Sequence, residues 1–252
     1  MLSHILLTTS LFLVTTSKAA EQPASFVLVG DSTTAHKQVR GGWGDGFCGS
    51  EELGTSSVLE PDIPCFNLAH SGATTGSFVA NGYWEESITT IKAEIEKGRT
   101  PYVTIQFGHN DQKIAPPESM GQNLTAMVQE LQALEAEPVL VTSLTRRNFN
   151  SNGTINDILG PWADETKLIA KQQGTHLLDL LATSIKYCEA IGPDASHRLN
   201  LGSTDKTHLN VPGSIVFGRM VADLLNASFP GVLPIVPDPE LSNNITLGIP
   251  SY

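Results

Sequence analysis

The sequence predicts an open α/β domain of three layers, an α/β/α sandwich in which a central parallel sheet of about five strands lies between helices. Three observations lead there. Short β-rich runs recur at Phe26–Val29, Cys65–Leu68, Tyr102–Phe107, Val139–Thr142 and His176–Leu180. Stretches of helical length separate most of them, and in one of these Leu124, Met127, Val128, Leu131 and Leu134 fall on a single face at 3.6-residue spacing. Strand and helix thus alternate about five times, and consecutive parallel strands need such a crossover between them.

Taken in order, residues 1–19 read as a signal peptide, which implies a secreted, extracellular protein. The apolar run from Ile5 to Val14 is too short for a bilayer core of about 30 Å, and Ser17-Lys18-Ala19 offers a small-x-small cleavage site. Residues 20–229 are expected to form one domain. Its further helices fit Glu85–Lys97, Pro161–Gln173, with proline in the first turn, and Val211–Leu225. Cys188 falls in an amphipathic helical stretch. The proline-rich residues 230–252 show no period and read as an irregular tail.

Charge and cysteine content narrow the function. With 15 basic against 26 acidic residues the formal charge is −11, which disfavours a nucleic-acid partner. No apolar segment approaches membrane length, so neither partner is expected, and a monomer is the default. Three cysteines in a secreted chain suggest one bridge and one leftover thiol. Cys48 and Cys65 flank a glycine-rich, irregular segment that a bridge would order, and Cys188 is left over. Four N-x-S/T sequons, at Asn123, Asn152, Asn226 and Asn244, suit a chain that meets a glycosylating pathway.

In an open parallel sheet the ligand crevice lies beyond the strand carboxyl ends, so the residues after each β-run carry the search for chemistry. Gly30-Asp31-Ser32-Thr33-Thr34 follows the first strand and puts a hydroxyl where a strand turns into a helix. The segment from Asn67 to Ser77 follows the second, and Gly72 there can bring a backbone N–H close to a ligand. Gly108-His109-Asn110-Asp111 follows the third and offers an amide donor for a developing oxyanion. Asp205 stands three residues before His208, ahead of the last long helix. A carboxylate that orients an imidazole is what a weak serine nucleophile requires. Each motif alone has a bland reading, a helix cap, a glycine turn or a surface turn; their placement after successive strands favours a common site.

These four blocks, in this order and over nearly all of residues 20–229, resemble those of the SGNH (GDSL-like) hydrolases. The resemblance implies a flavodoxin-like α/β/α fold and a catalytic triad of Ser32, Asp205 and His208. It also implies an oxyanion hole of Ser32, Gly72 and Asn110, and no cofactor. Within that superfamily GDST, Gly42-Trp43-Gly44, Asn81-Gly82-Tyr83-Trp84 and the stretch Asp205–Asn210 resemble rhamnogalacturonan acetylesterases. The activity implied is removal of O-acetyl groups from an acetylated plant cell-wall polysaccharide, with Trp43 and Trp84 as candidate sugar contacts. An acetyl xylan esterase, a general GDSL esterase or lipase, and a catalytically idle secreted glycan-binding protein are the alternatives. A two-metal phosphoesterase fits poorly, because no Asp-x-His or Gly-His-x-His accompanies GDST and GHND and the remaining histidines lack ligand spacing, so no metal is expected. An α/β-hydrolase elbow, G-x-S-x-G, is absent.

Overall fold

A computed structural model describes residues 23–36 and 41–252; the stretch read as a signal peptide, residues 1–19, lies outside them. Five parallel strands, β1 (Ala24–Gly30), β2 (Cys65–Asn67), β3 (Thr100–Gln106), β4 (Glu137–Val141) and β5 (His176–Leu178), form one sheet in the order β2-β1-β3-β4-β5. The chain leaves β1 toward one edge to make β2, then returns past β1 to make β3 on its other side. The crevice where that order reverses, at the carboxyl ends of β1 and β3, is where such sheets bind ligands.

Side-chain alternation along β1 shows how the sheet is covered. Phe26 and Leu28 point to one face, against α1 (Trp43–Cys48), α6 (Leu180–His197), α7 (Val211–Ser228) and α8 (Pro239–Leu247). Val27 and Val29 point to the other, against α2 (Thr75–Ala80), α3 (Tyr83–Glu96), α4 (Pro117–Ala133) and α5 (Gly160–Gln173). All seven residues of β1 are buried, as expected of a central parallel strand. The predicted stripe of α4 holds: Leu124, Met127, Val128 and Leu131 lie in the core.

Three expectations are corrected. No helix follows Ser32 directly, since residues 31–34 form a turn, and among the described residues the first helix begins at Trp43. The side chain of Asp31 causes this, its Oδ1 accepting from the N–H and hydroxyl of Thr33 and holding a tight local turn. The proline-rich end is not an irregular tail. Asp238 caps α8, with Pro239 in its first turn and Gly248 in the left-handed region at its end (φ 66°). Phe229, Leu233, Ile235 and Ile245 belong to the core, and Ile235 bridges to Leu59, so residues 230–252 are part of the domain. The last predicted strand is shorter than His176–Leu180, because Asp179 caps α6 and Leu180 opens it.

The Cys48–Cys65 disulfide joins the end of α1 to the start of β2, with Cα atoms 5.4 Å apart. Cys188 is free and buried in α6, where burial pushes its thiol up to about 11. Among the described residues no helix is long and apolar enough to cross a membrane, and no group of three histidine, cysteine or acidic side chains is placed to hold a metal ion.

Candidate active site

The four sequence blocks converge at the carboxyl edge of the sheet. Ser32, Ser71, Gly72, His109, Asn110, Lys113, Arg146, Thr207 and His208 line one cleft of about 360 Å³. His208 Nε2 lies 2.9 Å from Ser32 Oγ, and its Nδ1 lies 2.8 Å from Asp205 Oδ2. The other oxygen of Asp205 accepts from the N–H groups of Thr207 and His208, both at 2.9 Å. Burial alone would push the Asp205 carboxyl up; the N–H and imidazole of His208 and the N–H of Thr207 outweigh it and hold the carboxyl at about 2. An ionised carboxylate at Nδ1 leaves the Nε2 lone pair for a proton from Ser32.

Two residues at the start of α7 secure that loop. Asn210 caps the helix by accepting from the N–H of Gly213, and its Nδ2 donates to the carbonyl of Arg198. Pro212 lies in the first turn, so the helix starts three residues after His208.

The turn that carries Ser32 is held from below by Gln106, the buried last residue of β3. Its Oε1 accepts from the Thr34 hydroxyl and from the Trp43 indole, and its Nε2 donates to the Thr33 hydroxyl at 3.0 Å. The glycines around Trp43 make this possible. A Cβ on Gly42 would meet the Thr33 carbonyl carbon and oxygen at 2.5 Å, and one on Gly44 would meet the Thr34 oxygen at 2.4 Å. Gly-Trp-Gly is thus a packing motif that lets α1 lie against the serine turn. Trp43 is fully buried, and Trp84 is 7% exposed with its indole donating to Glu130 Oε2. Both are core residues, and the expectation that they contact sugar is corrected: neither face is open to a ligand.

On the opposite wall Gly72 is exposed and left-handed (φ 79°), a conformation that suits glycine. The Asn110 amide is locked from both ends. Its Nδ2 donates to the Ala73 carbonyl at 2.9 Å, and its Oδ1 accepts from Lys113 Nζ at 2.8 Å. One N–H of Nδ2 remains for a ligand. Asp111 ties the same loop down, accepting from the backbone N–H and hydroxyl of Thr75; burial raises its carboxyl despite these bonds.

Three residues that the sequence did not single out complete the surroundings. His109, 2% exposed, sets Nδ1 3.6 Å from Asp31 Oδ2, under the turn that carries Ser32. Burial would raise the Asp31 carboxyl, but His109 and the Thr33 bonds hold it below its ordinary value. Arg146 lies in the cleft wall with one guanidinium nitrogen on the His109 carbonyl. Arg147, fully buried, braces the histidine loop: Nη2 donates to the carbonyls of Thr207 (2.8 Å) and His208 (2.7 Å), and its own N–H to that of Lys206 (2.9 Å). Its Nε reaches Asn200 Oδ1 and its Nη1 the Thr145 carbonyl, and burial lowers it to about 10. A pair of consecutive arginines after a strand was the available signal, but spacing cannot tell which one faces the cleft.

The sequons differ in setting. Asn152 is exposed in a turn, whereas Asn226 on α7 and Asn244 on α8 are partly covered. The Asn123 amide, on α4, donates to the Thr75 hydroxyl at 2.9 Å, a bond that a glycan on that nitrogen would strain.

Residues 28–214 match the GDSL-like lipase/acylhydrolase family. The chain is 34% identical over 222 residues to a rhamnogalacturonan acetylesterase, RhgT, of Bacillus subtilis (strain 168), a match covering 81% of this chain and 90% of that protein. Among solved structures it is similar to the Bacillus subtilis protein YXIM (TM-score 0.69, 20% identity), covering 84% of this chain but only 59% of that longer one. It is also similar to Axe2, an acetylxylan esterase of Geobacillus stearothermophilus (TM-score 0.57, 18% identity, 85% and 97% covered).

Proposed function

Given that the chain belongs to the GDSL-like lipase/acylhydrolase family and is a carboxylic ester hydrolase, we propose that it removes O-acetyl groups from a plant cell-wall polysaccharide, acetylated rhamnogalacturonan ahead of acetylated xylan. Ser32 is the nucleophile, His208 its base and Asp205 the group that orients and compensates the imidazole. Nε2 takes the Ser32 proton as Oγ attacks the ester carbonyl. The N–H groups of Ser32 and Gly72 and the free N–H of Asn110 receive the oxyanion. As the acyl C–O bond breaks, the imidazolium protonates the departing sugar oxygen to a hydroxyl, leaving an acetyl-serine, and water activated by the same imidazole releases acetate.

The observation that carries this reading is the unbroken line from Asp205 through His208 to Ser32, at 2.8 and 2.9 Å, opening on a cleft with no aliphatic side chain among its lining residues. Each methylene of a long acyl chain would need apolar wall to gain its roughly 0.8 kcal/mol. A cleft walled by polar and charged side chains offers little of it, so a short acyl group on a hydroxyl-rich alcohol fits best. The 34% identity to a rhamnogalacturonan acetylesterase supports the choice of polymer. Export is supported by the reading of residues 1–19 and by a disulfide, a bond at home in oxidising compartments.

The test is kcat/KM on acetylated rhamnogalacturonan, acetyl xylan and a long-chain acyl ester, side by side. The expected order is as written. A preference for the long-chain ester would overturn the acetyl reading, and a preference for xylan only the polymer. For export, the full chain is expressed in a eukaryotic host: the expected product in the medium begins near residue 20, and retention in the cell with residues 1–19 intact would overturn it.

A further inference from the structure

We propose that Arg146 and Lys113 form a carboxylate-binding subsite beside Ser32, through which the enzyme favours an ester carried on, or next to, a uronate sugar whose acid is free. The inference rests on the esterase reading of this cleft and adds a ligand group to it.

The first observation is the charge of the cleft wall. The chain carries 26 acidic and 15 basic residues, yet the residues lining the cleft include Lys113 and Arg146 and no aspartate or glutamate. The acids nearby lie behind the wall and are already engaged. Asp31 bonds Thr33 and faces His109, Asp111 bonds Thr75, and Asp205 bonds the back of His208. A ligand in the cleft therefore meets two cations first.

The second is the condition of Arg146. Its side chain is half-buried, and burial holds its guanidinium below the ordinary value although Asp31 acts against this. Nε is buried without an acceptor, and Nη2 donates to the His109 carbonyl at 3.2 Å. Among the described residues no carboxylate lies within 4.0 Å of it, whereas Arg99 pairs with Glu94, Arg219 with Asp223 and Lys167 with Asp179. A partly desolvated guanidinium without an acid partner is incompletely compensated, and a planar fork of donors matches a carboxylate better than it matches a neutral hydroxyl.

The third is the position of Lys113. It is exposed and sits at the mouth, tethered to Asn110 Oδ1 at 2.8 Å, the side chain whose other end faces the site of the oxyanion. An acid bound between Lys113 and Arg146 is thus held on the same wall as Asn110. An acetyl ester on the same or the neighbouring sugar then comes to Ser32.

The experiment compares one acetylated oligouronide in two forms, carboxylates free and carboxylates methyl-esterified, with p-nitrophenyl acetate as a neutral reference. The readout is the ratio of kcat/KM for the free acid to that for the methyl ester, in which any general loss of activity divides out. Wild type should show a ratio of about ten at low salt, the worth of one charge-assisted pair. Rising ionic strength should lower it. Arg146→Gln and Lys113→Gln should each bring it toward one. A wild-type ratio of one or below overturns the subsite without any variant, as does a ratio that survives both substitutions. No turnover of any of the three, p-nitrophenyl acetate included, would overturn the esterase reading and the subsite together.

Discussion

Replacing Arg147 by methionine separates the bracing of the histidine loop from the chemistry it supports. The guanidinium donates to four acceptors: the carbonyls of Thr145, Thr207 and His208 and Oδ1 of Asn200. A hydrogen bond to a charged group is worth about 1.5–3 kcal/mol, so four would sum to about 6–12 kcal/mol. That sum is a ceiling. The four acceptors share one donor group and are not additive, and the variant is relieved of burying a cation, which itself costs several kcal/mol. A net loss of about 2–5 kcal/mol follows, less than the 5–15 kcal/mol that holds a typical domain together, so the variant should remain folded at 25 °C. Two of the freed carbonyls belong to Thr207 and His208, so the imidazole loses its fixed relation to Ser32. A misplacement of about 1 Å corresponds to about a hundredfold in rate, and kcat should fall between tenfold and that limit. KM should change little, since Arg147 does not line the cleft. The assay pairs urea unfolding, extrapolated to water, with kcat on p-nitrophenyl acetate at a temperature where both proteins are fully folded. Arg147→Lys, which keeps the charge but not the fork, should fall between the two. A loss of stability of the stated size with kcat within about twofold of wild type would refute the bracing role and leave Arg147 a core strut.

Three further outcomes are expected. Ser32→Ala should abolish hydrolysis of acetyl esters with unchanged circular dichroism; turnover near the wild-type rate would remove Ser32 from its role. Asp205, held at about 2 against an ordinary 3.8, adds stability that is present above about pH 4 and lost as the pH falls toward 2. Asp31, also lowered, acts in the same sense, and Asp111, raised, in the opposite one. The difference in urea midpoint between wild type and Asp205→Asn should therefore narrow from pH 4 to pH 2, and a constant difference across that window would contradict the cause given for the low value. Reduction of Cys48–Cys65, at a sequence separation of 17, should cost about 3 kcal/mol in the chain-entropy account, read as a drop in thermal midpoint on adding a reductant.

Strand and helix alternation sufficed for the α/β/α architecture because burial on a parallel sheet imposes a period that local sequence must obey, and Phe26–Val29 and the Leu124–Leu131 stripe show it plainly. The main site residues were legible for a related reason: Ser32, Gly72 and Asn110 follow successive strands, and Asp205 and His208 precede a capped helix, positions that topology alone carries to one sheet edge. The end of the chain was misread because the start signal in Asp238-Pro239 was diluted by prolines on either side. Chemistry that depends on burial was not legible at all. Trp43 and Trp84 have the composition of sugar platforms, and only their burial in the two core layers, with the indole N–H groups donated to Gln106 and Glu130, shows that their faces are closed. Arg146 and Arg147 are neighbours of identical type. Only the tertiary structure turns one toward the cleft and buries the other against the carbonyls of the histidine loop, because that choice is made by residues about 37 and 61 positions away in the chain, not by anything local.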